Sequence, residues 1–274
     1  QVLCNDNPIL LLRHNYLMLS YQHGFHAGNA ADVHKHSMLC SLLDYLTGKD
    51  KPLTYVETHA GRGLYDLTAA EARKTGEFKQ GIHLFGKNFA KDHPYLQGLK
   101  KTEERYGTSF YPGSPMLALL SLRPNDHIHL AEMHPREFRA LEANFSNPSV
   151  NLYHQDGWLL VDSVIPPTPR RGLIFIDPSY EIKTEYKEIP VKLGLVHRKW
   201  NVGVVVLWYP ILNDGLHLKM LNNLQKRFPK GFRHEINFSS STKHRQIGGS
   251  GLFVINPPYG IQTIGREVTQ ALQS

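Results

Sequence analysis

The sequence predicts an α/β fold built on a doubly wound, mostly parallel β-sheet, and three observations carry that prediction. Short β-branched runs recur along the chain, and several are apolar throughout, as strands covered by helices on both faces must be. Longer segments with helical spacing of apolar residues alternate with them. Most runs end in a loop that contains an acid or a glycine, which is where open α/β sheets hold their ligands.

In chain order, the first element is a helix over 29–47. Asn29 caps it, Leu39, Leu42, Leu43 and Leu46 fall at helical spacing, and Gly48 stops it. Strands follow at 53–57 (LTYVE), 127–132 (HIHLAE), 150–154 (VNLYH), 172–176 (GLIFI), 202–208 (VGVVVLW), 233–238 and 251–255 (GLFVI). The last two form a hairpin in this reading, with the final strand antiparallel to the rest. About 70 residues separate the first two strands, too many for one crossover helix. Residues 69–106, rich in Ala, Glu, Lys and Leu, predict two or three helices, so an inserted helical subdomain spans about 66–124. The expected organisation is an N-terminal extension, 1–17, ahead of a single domain, 18–274.

Composition narrows the class. With 274 residues, 41% of them apolar, the chain supports a large core. No window approaches the roughly 18 apolar residues of a spanning helix. The first 17 residues carry no basic leader and no sustained apolar stretch, so no secretory signal is predicted. Two cysteines, Cys4 and Cys40, exclude a disulfide framework and any zinc site of paired cysteines, and the expected location is the cytoplasm. A net charge of +7 favours a polyanionic partner. The charge is placed as well as scattered. Lys226, Arg227, Lys230, Arg233, Lys243 and Arg245 stand against Glu235 alone, and Arg170 and Arg171 precede the strand that leads to Asp177.

The loops carry the candidate chemistry. Gly61 and Gly63, after the first strand, let the backbone approach a ligand closely, although Asp66 stands where a dinucleotide fingerprint needs its third glycine. A structural turn explains that stretch equally well. Glu132, ending the second strand, is an acid placed to accept from two ribose hydroxyls, and Asp156 with Gly157, ending the third, is placed to receive an adenine. Asp177-Pro178-Ser179-Tyr180 ends the fourth. The lone pair of an exocyclic adenine amine is delocalised into its ring, so the amine attacks a sulfonium methyl poorly. An acid and a proline carbonyl that accept its two N–H bonds let the nitrogen pyramidalise, and Tyr180 is expected to stack on the extruded base. Asn256-Pro257-Pro258-Tyr259 is a near copy of the motif. On an antiparallel final strand it faces away from the crevice, so it reads as a structural strand exit. His34 and His36 stand two apart on a helix and diverge, which argues against a metal pair. No serine sits in a G-x-S-x-G elbow.

Taken together, MLSYQHGFHAGNAADVHKH from Met18, ETHAGRGLY from Glu57, YPGSP, AEMHP, QDGW, RRGLIFIDPSYE and SGLFVINPP resemble the RlmJ family of bacterial 23S ribosomal RNA adenine-N6-methyltransferases. The resemblance runs from residue 18 to about 260. It implies a Rossmann-like class I methyltransferase that uses S-adenosylmethionine and acts as a monomer on naked or partly assembled 23S RNA. It also implies cofactor contacts at His36, His59, Ser114, Glu132, Asp156 and Gly157, with Asp177 at the reacting amine. Tyr21, His23 and Lys35 then belong to an N-terminal segment lying over the site. Ser179 departs from the family's Asp-Pro-Pro-Tyr pattern and leaves the Pro178 carbonyl less constrained. Two other readings stay open at this point: the same chemistry on DNA, and a catalytically weakened nucleic-acid-binding protein linked to use of external DNA.

Overall fold

The computed structural model describes residues 22–145, 147, 149–238 and 247–273. The expected extension 1–17 and Tyr21 lie outside the described residues. After a turn at His23–Phe25, the elements run α1 (Ala30–Thr47), β1 (Thr54–Glu57), β2 (Leu64–Asp66), α2 (Ala70–Thr75), α3 (Ile82–Phe85), α4 (Pro94–Tyr106), β3 (Phe110–Pro112), α5 (Ser114–Ser121), β4 (His127–Ala131), α6 (Pro135–Asn144), β5 (Val150–Tyr153), α7 (Gly157–Val164), β6 (Gly172–Ile176), α8 (Glu185–Lys199), β7 (Val204–Leu212), α9 (Leu216–Arg227), β8 (Phe232–Asn237), β9 (Ile247–Ile255) and α10 (Ile261–Gln273). No helix among the described residues is long and apolar enough to cross a membrane.

Seven strands form one sheet in the order β5-β4-β1-β6-β7-β9-β8. The first five of these are parallel, and β9 runs antiparallel to both β7 and β8. This mixed, doubly wound arrangement matches the predicted fold class. The pleat explains why the central strands are apolar throughout. Leu173 and Phe175 of β6 point into one core with α1 residues such as Leu39 and Leu42, while Ile174 and Ile176 point into a second core with Ile189 and Leu193 of α8. Both faces of the strand are therefore dry, and truncating a fully buried side chain such as Phe175 to alanine costs roughly 3–5 kcal/mol.

The cap of α1 is as the sequence predicts: Asp32 N donates to Asn29 Oδ1 at 2.9 Å. Between β1 and β4 the helices α4 and α5 pack on α1, and β2 pairs with β3 as a separate antiparallel ribbon. That ribbon was not predicted, because three-residue strands are too short to show a period.

The reversal of β9 decides the fate of the duplicated motif. Asn256 emerges at the end of the sheet where the parallel strands begin, and its Nδ2 donates to the carbonyls of Asn201, at 3.0 Å, and Gly203, at 2.8 Å, just ahead of β7. Its φ is +53°, a left-handed conformation that asparagine tolerates better than most residues. Asn256 ties a strand exit to a strand entry.

Candidate active site

At the carboxyl ends of β1, β4, β5, β6 and β7 lies a cleft of about 360 Å³, a size ordinary for small-molecule sites. Asp177 sits in it directly after β6. Lys35, on the buried face of α1, donates from Nζ to Asp177 Oδ2 at 2.7 Å and lies 2.9 Å from Asp32 Oδ1. Asp32 Oδ2 in turn accepts from Gly28 N at 2.8 Å and stands 2.9 Å from His23 Nε2. Burial raises the pKa of the Asp32 carboxyl, but His23 and Lys35 outweigh it and hold the group well below its ordinary range. This cluster fastens the turn carrying His23 onto the helix carrying Lys35, so both side chains border the cleft.

Beneath them is a group that motif reading missed. Glu57 ends β1 fully buried, accepting from Ser114 Oγ at 2.5 Å and Tyr55 Oη at 2.7 Å. Burial outweighs these hydrogen bonds, and with nearby Asp177 pushing the same way the carboxyl rises to about 8. The sequence signal was an acid closing an apolar strand just before the glycine turn.

The remaining predicted residues gather around the cleft. Gly61 has φ +58°, a Cβ there would lie 2.5 Å from Tyr65 Oη, and its N–H donates to Glu132 Oε2 at 2.8 Å. His134 N donates to the other Glu132 oxygen at 2.7 Å, so the main chain holds both oxygens of the acid that follows β4. Asp156 Oδ1 caps α7 through Trp158 N at 2.6 Å. Gly157 is required by contact, since a Cβ would meet the Thr58 carbonyl oxygen at 2.1 Å. His59 Nδ1 is 2.7 Å from Thr58 Oγ1, and burial lowers its pKa. His36 Nδ1 meets Tyr111 Oη at 2.8 Å, and burial lowers it to about 3, so it is a neutral imidazole. His34 turns the other way, toward Ser250 and His234.

Tyr180 requires a correction. It is buried, its φ is +55°, and its ring packs against Tyr186 with centroids 4.6 Å apart, while its hydroxyl donates to the Trp208 carbonyl at 2.8 Å. The left-handed turn carries the ring into the core rather than the cleft, so in this conformation it does not offer a face to a base. Pro178 and Ser179 do line the cleft, and so does Trp208 of β7, which the sequence reading did not single out.

A turn with left-handed glycines after β1, an acid held by main-chain N–H groups at the end of the neighbouring strand, and an acid that caps the helix after the next strand fit a nucleoside-bearing group. Comparison with known proteins agrees. The family described as ribosomal RNA large subunit methyltransferase D, RlmJ, matches residues 50–274. The ribosomal RNA large subunit methyltransferase J of Escherichia coli K12 is 35% identical over 250 residues, covering 89% of each chain. Its namesake in Haemophilus influenzae is 35% identical over 262 residues, covering 92% of each. A crystal structure of a Legionella pneumophila protein superposes with a TM-score of 0.80 at 38% identity, covering 90% of this chain and 92% of that one. The chain belongs to the RlmJ family and is a methyltransferase that uses S-adenosylmethionine.

Proposed function

We propose that the protein methylates the exocyclic N6 of an adenine in 23S ribosomal RNA, acting as a cytoplasmic monomer on naked or partly assembled RNA. The observation that carries this reading is Asp177, set at the carboxyl end of β6 in the cleft and followed by Pro178. The relatives' names supply the RNA, and the net charge of +7 suits it.

When bound, S-adenosylmethionine supplies an electrophilic methyl group. In this reading Glu132 takes the ribose hydroxyls and Asp156 with Gly157 the adenine, with Gly61, His59, His36 and Ser114 around the rest of the cofactor; all of them line the cleft. Lys35 grips one Asp177 oxygen and fixes the orientation of the carboxylate. A carboxylate accepts at both oxygens. Asp177 and the Pro178 carbonyl together take the two N–H bonds of the target amine, localising its lone pair and holding its proton as charge develops on nitrogen. Burial raises the Glu57 carboxyl to about 8, so near neutral pH it adds little negative charge next to Asp177.

Labelled methyl groups offered to protein-free 23S RNA and to duplex and single-stranded DNA, followed by nucleoside analysis, test the reading. N6-methyladenosine in RNA alone supports it, and label confined to DNA overturns it.

A further inference from the structure

With Tyr180 turned into the core, the cleft needs another aromatic wall for its base. We propose that Trp208 is the residue against which the target base packs, and that Ser250, His34 and His234 are positioning residues that hold its ring. The proposal rests on the adenine-methylation reading above.

The placement follows from the sheet. Ile176 of β6 pairs with Leu207 of β7, so Asp177 and Trp208 are neighbours one residue further along. Both side chains stand on the face covered by α1, because Lys35 Nζ, bonded to Asp177, also lies 5.2 Å from the centroid of the Trp208 ring. The indole is partly exposed and borders the cleft. An aromatic ring beside the group that holds the amine is what a flipped base requires, since stacking is available to any base while the carboxylate selects the amine.

The ring is held by a chain of hydrogen bonds whose direction is fixed throughout. Trp208 Nε1 donates to Ser250 Oγ at 2.9 Å, across the β7–β9 pair. Ser250 Oγ is 2.8 Å from His34 Nδ1, His34 Nε2 is 2.8 Å from His234 Nδ1, and His234 Nε2 is 2.8 Å from the Gly265 carbonyl oxygen of α10 and 2.9 Å from Thr269 Oγ1. A carbonyl only accepts, so His234 carries its proton on Nε2 and accepts at Nδ1. His34 must then donate from Nε2 and accept at Nδ1, which obliges the Ser250 hydroxyl to donate there and to accept from Trp208. Burial lowers the pKa of both imidazoles, in keeping with these neutral tautomers. Four elements thus converge on one indole N–H. A buried indole N–H takes an acceptor in any setting; here that acceptor is itself fixed from α10, across β8 and α1, to β9.

The test uses the full chain, labelled S-adenosylmethionine and protein-free 23S RNA, with cofactor affinity measured by calorimetry for each variant. Trp208→Ala is expected to lower kcat/KM for RNA roughly 10- to 100-fold with cofactor affinity unchanged, and Trp208→Phe to recover most of the loss. Ser250→Ala is expected to lower kcat/KM in the wild-type background and to have no further effect in the Trp208→Phe background, because phenylalanine has no N–H for the chain to hold. Wild-type turnover kept by Trp208→Ala overturns the wall. Equal losses from Ser250→Ala in both backgrounds overturn the positioning role. Absence of RNA methylation by the wild-type protein refutes the underlying reading instead, which keeps the two failures distinct.

Discussion

Lys35 and Asp177, 142 residues apart in sequence, meet at 2.7 Å between the first helix and the carboxyl end of the central strand β6. The pair welds that helix to the Asp177-Pro178 turn, and Asp32 at 2.9 Å makes Lys35 the cation shared by two acids. Both lysine and Asp32 are almost fully buried. Lys35→Ala is expected to take the ammonium from Asp177 and leave Asp32 to His23 and Gly28 N, costing roughly 3–5 kcal/mol as removal of one member of a buried pair does. Denaturant unfolding measures that loss. Methyl transfer, assayed where the variant is still folded, is expected to fall at least about 100-fold, as two or more pre-positioned interactions are lost at once.

Glu57 gives the protein a pH signature. Its folded pKa of about 8 lies above the ordinary value of 4.5, so the native state binds a proton that the unfolded chain releases. Its contribution is complete below about pH 4.5 and is lost as pH rises toward 8. Thermal midpoints of the wild type are therefore expected to decline across that window relative to Glu57→Gln, which has no proton to lose. Parallel curves for the two proteins from pH 5 to 8.5 would contradict the assignment.

His36 works in the opposite direction. Its folded pKa of about 3 lies below the ordinary 6.5, so the unfolded chain takes up a proton first as pH falls. Its neutral form stabilises the fold fully above pH 6.5, and that contribution fades toward pH 3. His36→Gln is expected to flatten the acid limb of a stability-against-pH curve measured by denaturant unfolding.

Gly157 separates close packing from chemistry. A methyl group there would sit 2.1 Å from the Thr58 carbonyl oxygen, which is backbone and must shift. Gly157→Ala is expected to cost about 1–3 kcal/mol as other overpacked sites do. Because Thr58 and Gly157 both line the cleft proposed to hold the cofactor, affinity for S-adenosylmethionine is expected to fall about tenfold or more, a shift of roughly 1.4 kcal/mol. Calorimetric titration reads this directly.

Much of this arrangement was legible from sequence, and the exceptions have physical causes. The apolar strands, the Asn29 cap and the acids at strand ends each leave a local signature, so the sheet and the positions of Glu132, Asp156 and Asp177 followed from pattern. Tyr180 did not, because its destination depends on a left-handed backbone angle that a non-glycine residue adopts only when its surroundings impose it. Trp208 was hidden for a related reason. It reads as one more apolar residue in VGVVVLW, and only strand pairing sets it beside Asp177. Glu57 and the β2–β3 ribbon were obscured by shortness, the first a single acid on a four-residue strand and the second two strands of three residues each.

In the proposed function, methyl transfer to adenine depends on the motif after β6 and not on its near copy after β9. Label transfer from S-adenosylmethionine to protein-free 23S RNA, run in parallel with wild type, Asp177→Ala and Asn256→Ala after cofactor binding by each has been confirmed, tests it most directly. N6-methyladenosine is expected from wild type and Asn256→Ala and none from Asp177→Ala. Full activity in Asp177→Ala, or its abolition by Asn256→Ala in a protein that still binds cofactor, would contradict it.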